Sequence, residues 1–470
     1  MQQRQSVALF KCSVFNKLLM FPEMEEERRE TSIYPTTVPM LSLLLETFAW
    51  ASLLCLQDVT GARLLVTDNP GPGEPLFLTP YIERGDIKEA RRLARVTVND
   101  SLNVESYAGF FTVNKAYDSN QFFWYFPSMS SDKDKAPVLV WLQGGPGGSS
   151  LIGLFCENGP IKLVNGQFER RKYHWALNHH VIYIDNPVGA GFSFTNNEKG
   201  YCTDETQVGE QLYSTLTQFF QLFPELQKND FFITGESYAG KFVPALAYTI
   251  MKKESTAKLK VNLKGLVIGG AWINPESQQN WDQFNCSDVN ERKQLFSAKA
   301  TIKSHKREKW FQGNVCEFLP DLSNATRKAI HVGDLSYSEF NNHVFDKMSD
   351  DFCESMAPWL SEIVEVYPVT LYGGQNDTIV HYDGIVDFLR NHFNFSGADE
   401  YRSAKQYEWR VGGAPAGCVR RARRLTELLV LDAEHLVPRD QPERAWDLIT
   451  RVTSGKGFEQ EEICSTPTGM

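Results

Sequence analysis

Six short apolar runs, each separated from the next by enough chain for a helix, constrain this sequence more than any other feature. They are residues 136–142 (APVLVWL), 180–185 (HVIYID), 231–234 (FFIT), 263–268 (LKGLVI), 369–372 (VTLY) and 425–431 (LTELLVL). Branched and aromatic side chains dominate them, and Gly, Asp or Asn bounds most of them. Near-continuous hydrophobicity at strand length means burial on both faces, hence a mostly parallel sheet between helices. Residues 107–126 instead alternate aromatic and polar side chains around Asp118-Ser119-Asn120, the pattern of an antiparallel hairpin. The expected fold is an α/β domain with an antiparallel start. No internal repeat or low-complexity tract follows residue 62.

Composition excludes several alternatives. With 470 residues, 42% hydrophobic and 23% charged, the chain can bury enough apolar surface to offset its ordering entropy, which rules out wholesale disorder and a disulfide-stapled miniprotein. Its 58 acidic and 48 basic residues leave a net charge of -10, which repels the phosphate backbone and argues against nucleic acid as a partner. Nine cysteines are too few for a disulfide scaffold, and an odd number leaves at least one without an intrachain partner. No C-x-x-C pair occurs, so a zinc or thioredoxin-like reading has no support; no metal or cofactor is expected.

The start of the chain reads as an address. An apolar run within 40–62 ends at Thr60-Gly61-Ala62, as a signal peptide would, although Glu46 interrupts it and the acidic Glu25-Glu26-Glu27 lies upstream. Met40 is the expected functional start, with a core helix as the alternative reading. The run is too interrupted for a stable membrane anchor. Sequons at Asn99, Asn285, Asn324, Asn376 and Asn394 fit a secreted or lysosomal glycoprotein. Residues 63–275 and 356–470 are read as the two parts of one core. Residues 276–355, with charged clusters such as 303–309 (KSHKREK), are read as an inserted lid above the strand ends.

Chemistry concentrates after the strand runs. Thr234-Gly235-Glu236-Ser237-Tyr238-Ala239-Gly240 follows FFIT and precedes a helix-forming segment, the context of a nucleophile elbow whose neighbours must be small. Taken alone, this match also fits a structural glycine-rich turn. A serine hydroxyl needs a base, and the base needs an orienting acid. Asp377 follows one strand run and His435 follows the last, in the order of α/β-hydrolases. The other eight histidines precede the acid or lie too close behind it. The glycine loop from Trp141 through Gln143, Gly144, Gly145 and Pro146 to Ser150 lacks the lysine of a phosphate-binding loop, and glycine amides beside a serine elbow suit an oxyanion hole.

Together with Asp185-Asn186-Pro187-Val188-Gly189-Ala190-Gly191-Phe192-Ser193, these motifs resemble the serine carboxypeptidase family, in particular its vitellogenic-like members. The resemblance runs from about residue 80 to 457. It implies an α/β-hydrolase fold and removal of single residues from peptide or protein C termini through an acyl-enzyme, without cofactor; a homodimer stays open. It makes Ser237 the nucleophile, His435 the base, Asp377 the orienting acid, and the amides of Gly145 and Tyr238 the oxyanion hole. Gln143, Gly144, Glu157 and Glu236 then bind the substrate's terminal carboxylate. Glutamates serve there by sharing protons, since a neutral acid donates a hydrogen bond that an ionised one cannot, and this favours acidic pH. An acyltransferase or esterase is a further use of the same scaffold.

The sequence also departs from that pattern. Gln143 stands where the family usually has asparagine, and Gly148 where many members carry a bridged cysteine. The lid looks short. Glu434 stands where glycine normally precedes the histidine; a positive φ there would strain glutamate, and its carboxylate would stabilise the imidazolium. A catalytically impaired binding protein is the alternative those departures raise.

Overall fold

The computed structural model describes residues 71–96, 102–164, 167–278, 322–458 and 463–464. The signal-like run, the sequons at Asn99 and Asn285, and residues 279–321 of the expected lid lie outside the described residues.

The strands in chain order are β1 Arg95–Val96, β2 Ser106–Asn114, β3 Ser119–Phe126, β4 Val138–Leu142, β5 Ile161–Val164, β6 Gln167–Arg170 and β7 His180–Ile184. They continue with β8 Phe194–Thr195, β9 Phe231–Glu236, β10 Leu263–Gly269, β11 Val369–Gly374, β12 Gln406–Val411, β13 Ala414–Ala422 and β14 Leu425–Val430. The main sheet runs β1-β2-β3-β7-β4-β9-β10-β11-β14-β13-β12, with β8 on β3 and a separate β5-β6 ribbon. Every pairing from β7 to β14 in that order is parallel. Each of the six apolar runs is one of these parallel strands. The expected antiparallel hairpin is β2-β3.

Alternation along each buried strand builds two cores. In β4, Val138, Val140 and Leu142 join one cluster while Leu139 and Trp141 join the other. The first cluster lies under helices α1 (Glu205–Leu222), α2 (Ala239–Lys253) and α3 (Ala357–Val366), through Leu212, Leu216, Ala245, Leu246, Leu360 and Ile363. The second lies under α4 (Pro442–Ser454) and the turn Gly153–Asn158, through Leu448, Ile449, Leu154 and Phe155. Asp204 caps α1 by accepting from the Gln207 N–H at 2.9 Å, and Gly455 ends α4 in the left-handed conformation at φ 69°.

The far antiparallel edge, β14-β13-β12, carries a weaker signal: β13 contains Pro415 and Gly417, and β12 alternates charges with aromatics. A Cys418–Cys464 disulfide and a bridge between Tyr407 and Ile463 bring the C-terminal segment onto that edge. Cys202 is free and buried, in line with the odd cysteine count. Residues 322–355 pack against the body rather than standing off it: Ile330, Val332, Val344 and Met348 are buried, and Phe340 and Ser338 bridge Gly148 and Gly191. No helix among the described residues is long and apolar enough to cross a membrane.

Candidate active site

Ser237 sits between β9 and α2 at φ 64°, a left-handed conformation that costs a serine roughly 1–3 kcal/mol and is held by its surroundings. Its N–H donates to Gly269 O at 2.9 Å, and its carbonyl accepts from Trp272 N at 3.0 Å. Small neighbours are required here. A Cβ on Gly235 would stand 2.7 Å from Ala239 Cβ and from Leu142 O.

Asp377 and His435 reach the same place from β11 and β14, adjacent in the sheet although 58 residues apart in sequence (435 minus 377). His435 Nδ1 and Asp377 Oδ2 are 2.8 Å apart, and the Asp377 side chain is fully buried. Asp377 Oδ1 accepts from the N–H groups of Ile379 at 2.8 Å and Val380 at 2.9 Å, which fixes the carboxylate plane. With Nδ1 donating to Asp377, Nε2 keeps its lone pair for a hydroxyl proton. The imidazole packs on Gly270, where a Cβ would lie 2.9 Å from His435 Cε1 and 3.2 Å from Asp377 Oδ2. The Gly269–Gly270 step therefore carries the Ser237 amide on one residue and the His435–Asp377 pair on the next.

The glycine loop folds over the elbow. A Cβ on Gly144 would stand 2.4 Å from Tyr238 N and 2.8 Å from Ser237 Cβ. Gly145 has φ 142°, and the Gly145–Pro146 bond is cis. Asp185, after β7, holds the far end of the loop: Oδ1 accepts from Ser149 Oγ at 2.6 Å and Ser150 N at 2.9 Å, and Oδ2 accepts from Phe192 N at 2.8 Å. Burial, outweighing those hydrogen bonds, pushes the Asp185 carboxyl up to about 6. Sequence reasoning quoted Asp185 without giving it this task; a charged residue ending an otherwise apolar strand was the available signal.

Beside the elbow, Glu157 and Glu236 are fully buried. Trp141 Nε1 donates to Gln143 Oε1 at 2.9 Å, which turns Gln143 Nε2 toward Glu236 Oε1 at 3.3 Å. As two carboxylates, Glu157 and Glu236 would leave three of their four oxygens without a donor; a proton held between them supplies one. Burial raises both carboxyls above the ordinary range, and the Glu157 charge raises Glu236 further.

Burial alone would lower the pKa of His435, but Asp377, by charge and hydrogen bond, and then the Glu157 charge lift it above its ordinary value. Arg439 opposes them, and sequence reasoning did not single it out. It lies one turn beyond His435, with Nε donating to Asp440 Oδ1 at 2.8 Å. The expectation for Glu434 is corrected. The positive-φ residue in this loop is Asp432, at 54°, and Glu434 is not among the described positive-φ residues. Its side chain is 69% exposed and accepts from Arg439 at 3.4 Å, so its charge is spent on solvent and Arg439.

No group of acidic, histidine or cysteine side chains fit to hold a metal ion occurs among the described residues. The serine carboxypeptidase family model matches residues 97–287 and 281–455. The vitellogenic carboxypeptidase of Aedes aegypti is 42% identical over 428 residues, covering 81% of this chain and 90% of that protein. The venom serine carboxypeptidase of Apis mellifera is 41% identical over 432 residues, covering 82% and 92%. The probable serine carboxypeptidase CPVL of Homo sapiens is 37% identical over 436 residues, covering 82% and 91%. Among solved structures, a Kex1 prohormone-processing carboxypeptidase from Saccharomyces cerevisiae superposes with a TM-score of 0.63 at 21% identity, over 78% of this chain and 96% of that one, and so shares the fold. The chain belongs to the serine carboxypeptidase family and is a peptidase of the α/β-hydrolase fold.

Proposed function

We propose that Ser237, His435 and Asp377 act as the nucleophile, base and orienting acid, and that the buried Glu157–Glu236 pair makes this hydrolase a carboxypeptidase. His435 Nε2 takes the Ser237 hydroxyl proton as Oγ bonds to the scissile carbonyl carbon, and the Gly145 and Tyr238 amides face the oxygen that becomes negative. His435 then returns the proton to the leaving nitrogen as the C–N bond breaks, which frees the terminal amino acid and leaves an acyl-serine. Water, deprotonated by His435, attacks that ester; the peptide acid departs and Ser237 regains its proton.

The terminal carboxylate binds at Gln143, Gly144, Glu236 and Glu157, where a neutral glutamic acid donates to it. The single observation that carries this reading is the uncompensated acid pair one residue from the nucleophile: it suits a ligand bearing a carboxylate and a solution acidic enough to keep the shared proton. An acidic secretory or lysosomal lumen fits that requirement, the signal-like run, the sequons and a relative named for venom. Residues 322–355, which bridge Gly148 and Gly191, would border the substrate's approach. Glu434 is not among the described positive-φ residues, which takes away one of the grounds for the impaired-protein alternative.

Turnover of a blocked dipeptide is the test, comparing its free acid with its C-terminal amide at mildly acidic pH. The acid is expected to be the better substrate by at least about tenfold, and a fluorophosphonate probe is expected to label wild type and not Ser237→Ala. Equal turnover of acid and amide would overturn the carboxypeptidase assignment of the pair.

A further inference from the structure

Glu236, Gly269 and Tyr372 occupy one row across β9, β10 and β11, because Gly269 is in register with both of the others. In a parallel sheet, residues at the same register point to the same face. The middle member has no side chain, and the Tyr372 ring fills the room this leaves: a Cβ on Gly269 would fall 2.5 Å from Tyr372 Cζ and 2.6 Å from its hydroxyl oxygen. Tyr372 therefore leans across β10 toward β9, where Glu236 stands. Its hydroxyl is buried without a hydrogen-bond partner, and Glu236 Oε2 and both Glu157 oxygens lack a donor. Glu236 and then Glu157 are the charges that, after burial, act on the Tyr372 hydroxyl. A buried phenol without an acceptor thus faces, over a glycine, a buried acid pair with three oxygens short of a donor, and each has what the other lacks.

We propose that the Tyr372 hydroxyl donates a hydrogen bond, directly or through one water, to the Glu157–Glu236 pair and sets the pH at which the pair gives up its shared proton. This rests on the reading of that pair as the site for the substrate's terminal carboxylate. Tyr372 is a positioning residue: it acts on substrate through the two glutamates. A donor stabilises an ionised acceptor more than a neutral one, so the phenol favours release of the shared proton and holds the pair's pKa below where burial alone would put it. The other charged groups facing the pair are Arg439, beyond β14, which favours ionisation, Asp377, beyond β11, which opposes it at Glu236, His435, whose charge favours it at Glu157, and Arg171, which the Glu157 charge also reaches and which favours ionisation there.

The test is Tyr372→Phe, which keeps the ring and removes the donor. KM and kcat for a blocked dipeptide acid are measured from pH 4 to 8 in wild type, Tyr372→Phe and Glu236→Gln; Tyr372→Met, which fills the same space, stands in if the phenylalanine variant is not recovered folded. The alkaline rise in KM is expected to move upward by about half to one pH unit in Tyr372→Phe, with the change in KM rather than kcat. A purely structural tyrosine would lower thermal stability and leave that limb in place. Glu236→Gln tests the underlying reading by moving or flattening the limb. If Glu236→Gln changes the limb and Tyr372→Phe superimposes on wild type, the Tyr372 proposal is overturned. If Glu236→Gln superimposes on wild type, the carboxylate site itself is overturned and this proposal with it.

Discussion

Gly144→Ala is the sharpest perturbation the site offers. The added methyl carbon would begin 2.4 Å from Tyr238 N, 2.7 Å from Glu236 O and 2.8 Å from Ser237 Cβ. Two of these three atoms are backbone, and the third belongs to the nucleophile, so no long side chain can swing aside. Ordinary contact begins at 3.4 Å, so the loop and the elbow must separate by about 1 Å along the Tyr238 direction. That gap opens between the two halves of the proposed oxyanion hole. Displacing a reacting group by about 1 Å costs on the order of a hundredfold, and losing one oxyanion donor costs roughly a hundred- to a thousandfold in kcat. The expected result is a fall in kcat of that size for a blocked dipeptide, in protein that keeps its near-ultraviolet dichroism. Gly384→Ala is the control. Gly384 lies in the short helix Tyr382–Asp387, its nearest foreign atom would be Gln278 Cα at 3.5 Å, and the substitution is expected to leave kcat alone and shift stability by no more than about 1 kcal/mol. A folded Gly144→Ala enzyme with kcat within about threefold of wild type would refute the oxyanion geometry.

Glu434→Gly is expected to change kcat/KM by less than about threefold, because the residue takes an ordinary backbone conformation and its carboxylate faces solvent; a large gain in dipeptide turnover would restore the impaired-protein reading. Asp185, with its pKa raised from 3.8 to about 6 in the folded chain, contributes stability that is fully present below about pH 4 and is lost as pH rises through 6. Two units correspond to about 3 kcal/mol at most. The stability gap between Asp185→Asn and wild type is therefore expected to move in the variant's favour by up to about 3 kcal/mol between pH 4 and 6 in urea titrations, and a constant gap would contradict the assignment.

What the sequence made legible follows from what hydrophobic patterning can report. Buried parallel strands must be apolar on both faces, so β4, β7, β9, β10, β11 and β14 announced themselves, and the proposed triad follows from which strand each motif ends. Edge strands face solvent and carry no such demand, so β12 and β13 stayed hidden behind Pro415, Gly417 and alternating charge. The tasks of Tyr372, Asp185 and Arg439 depend on register between strands far apart in sequence, which no local pattern encodes. Glu434 was misjudged for a local reason: the turn's left-handed residue is Asp432, two positions earlier. The small neighbours required at the elbow were foreseen from sterics alone, and the contacts around Gly235 bear that out.

The proposed mechanism asks two opposite things of pH, because in it the glutamate pair works while it holds its proton and His435 works after losing one. Geometry couples the two demands. The Glu157 charge is one of the influences lifting His435 above its ordinary pKa, after burial, which lowers it, and Asp377, which raises it. When acid protonates the pair, the Glu157 contribution disappears and the pKa of His435 falls, so the base stays neutral further into the acid range than it would beside a permanent charge. Glu157→Gln fixes that condition at every pH while keeping the side-chain volume. The acid limb of kcat/KM, which reports the free enzyme, is therefore expected to move to lower pH by up to about one unit. The alkaline rise in KM is expected to flatten, since an amide N–H donates to a substrate carboxylate without needing a proton. Rate profiles on a blocked dipeptide from pH 4 to 8 read both limbs at once. An acid limb that stays where it is in wild type, or moves upward, would mean that Glu157 and His435 titrate independently and that the pair's protonation does nothing to preserve the base.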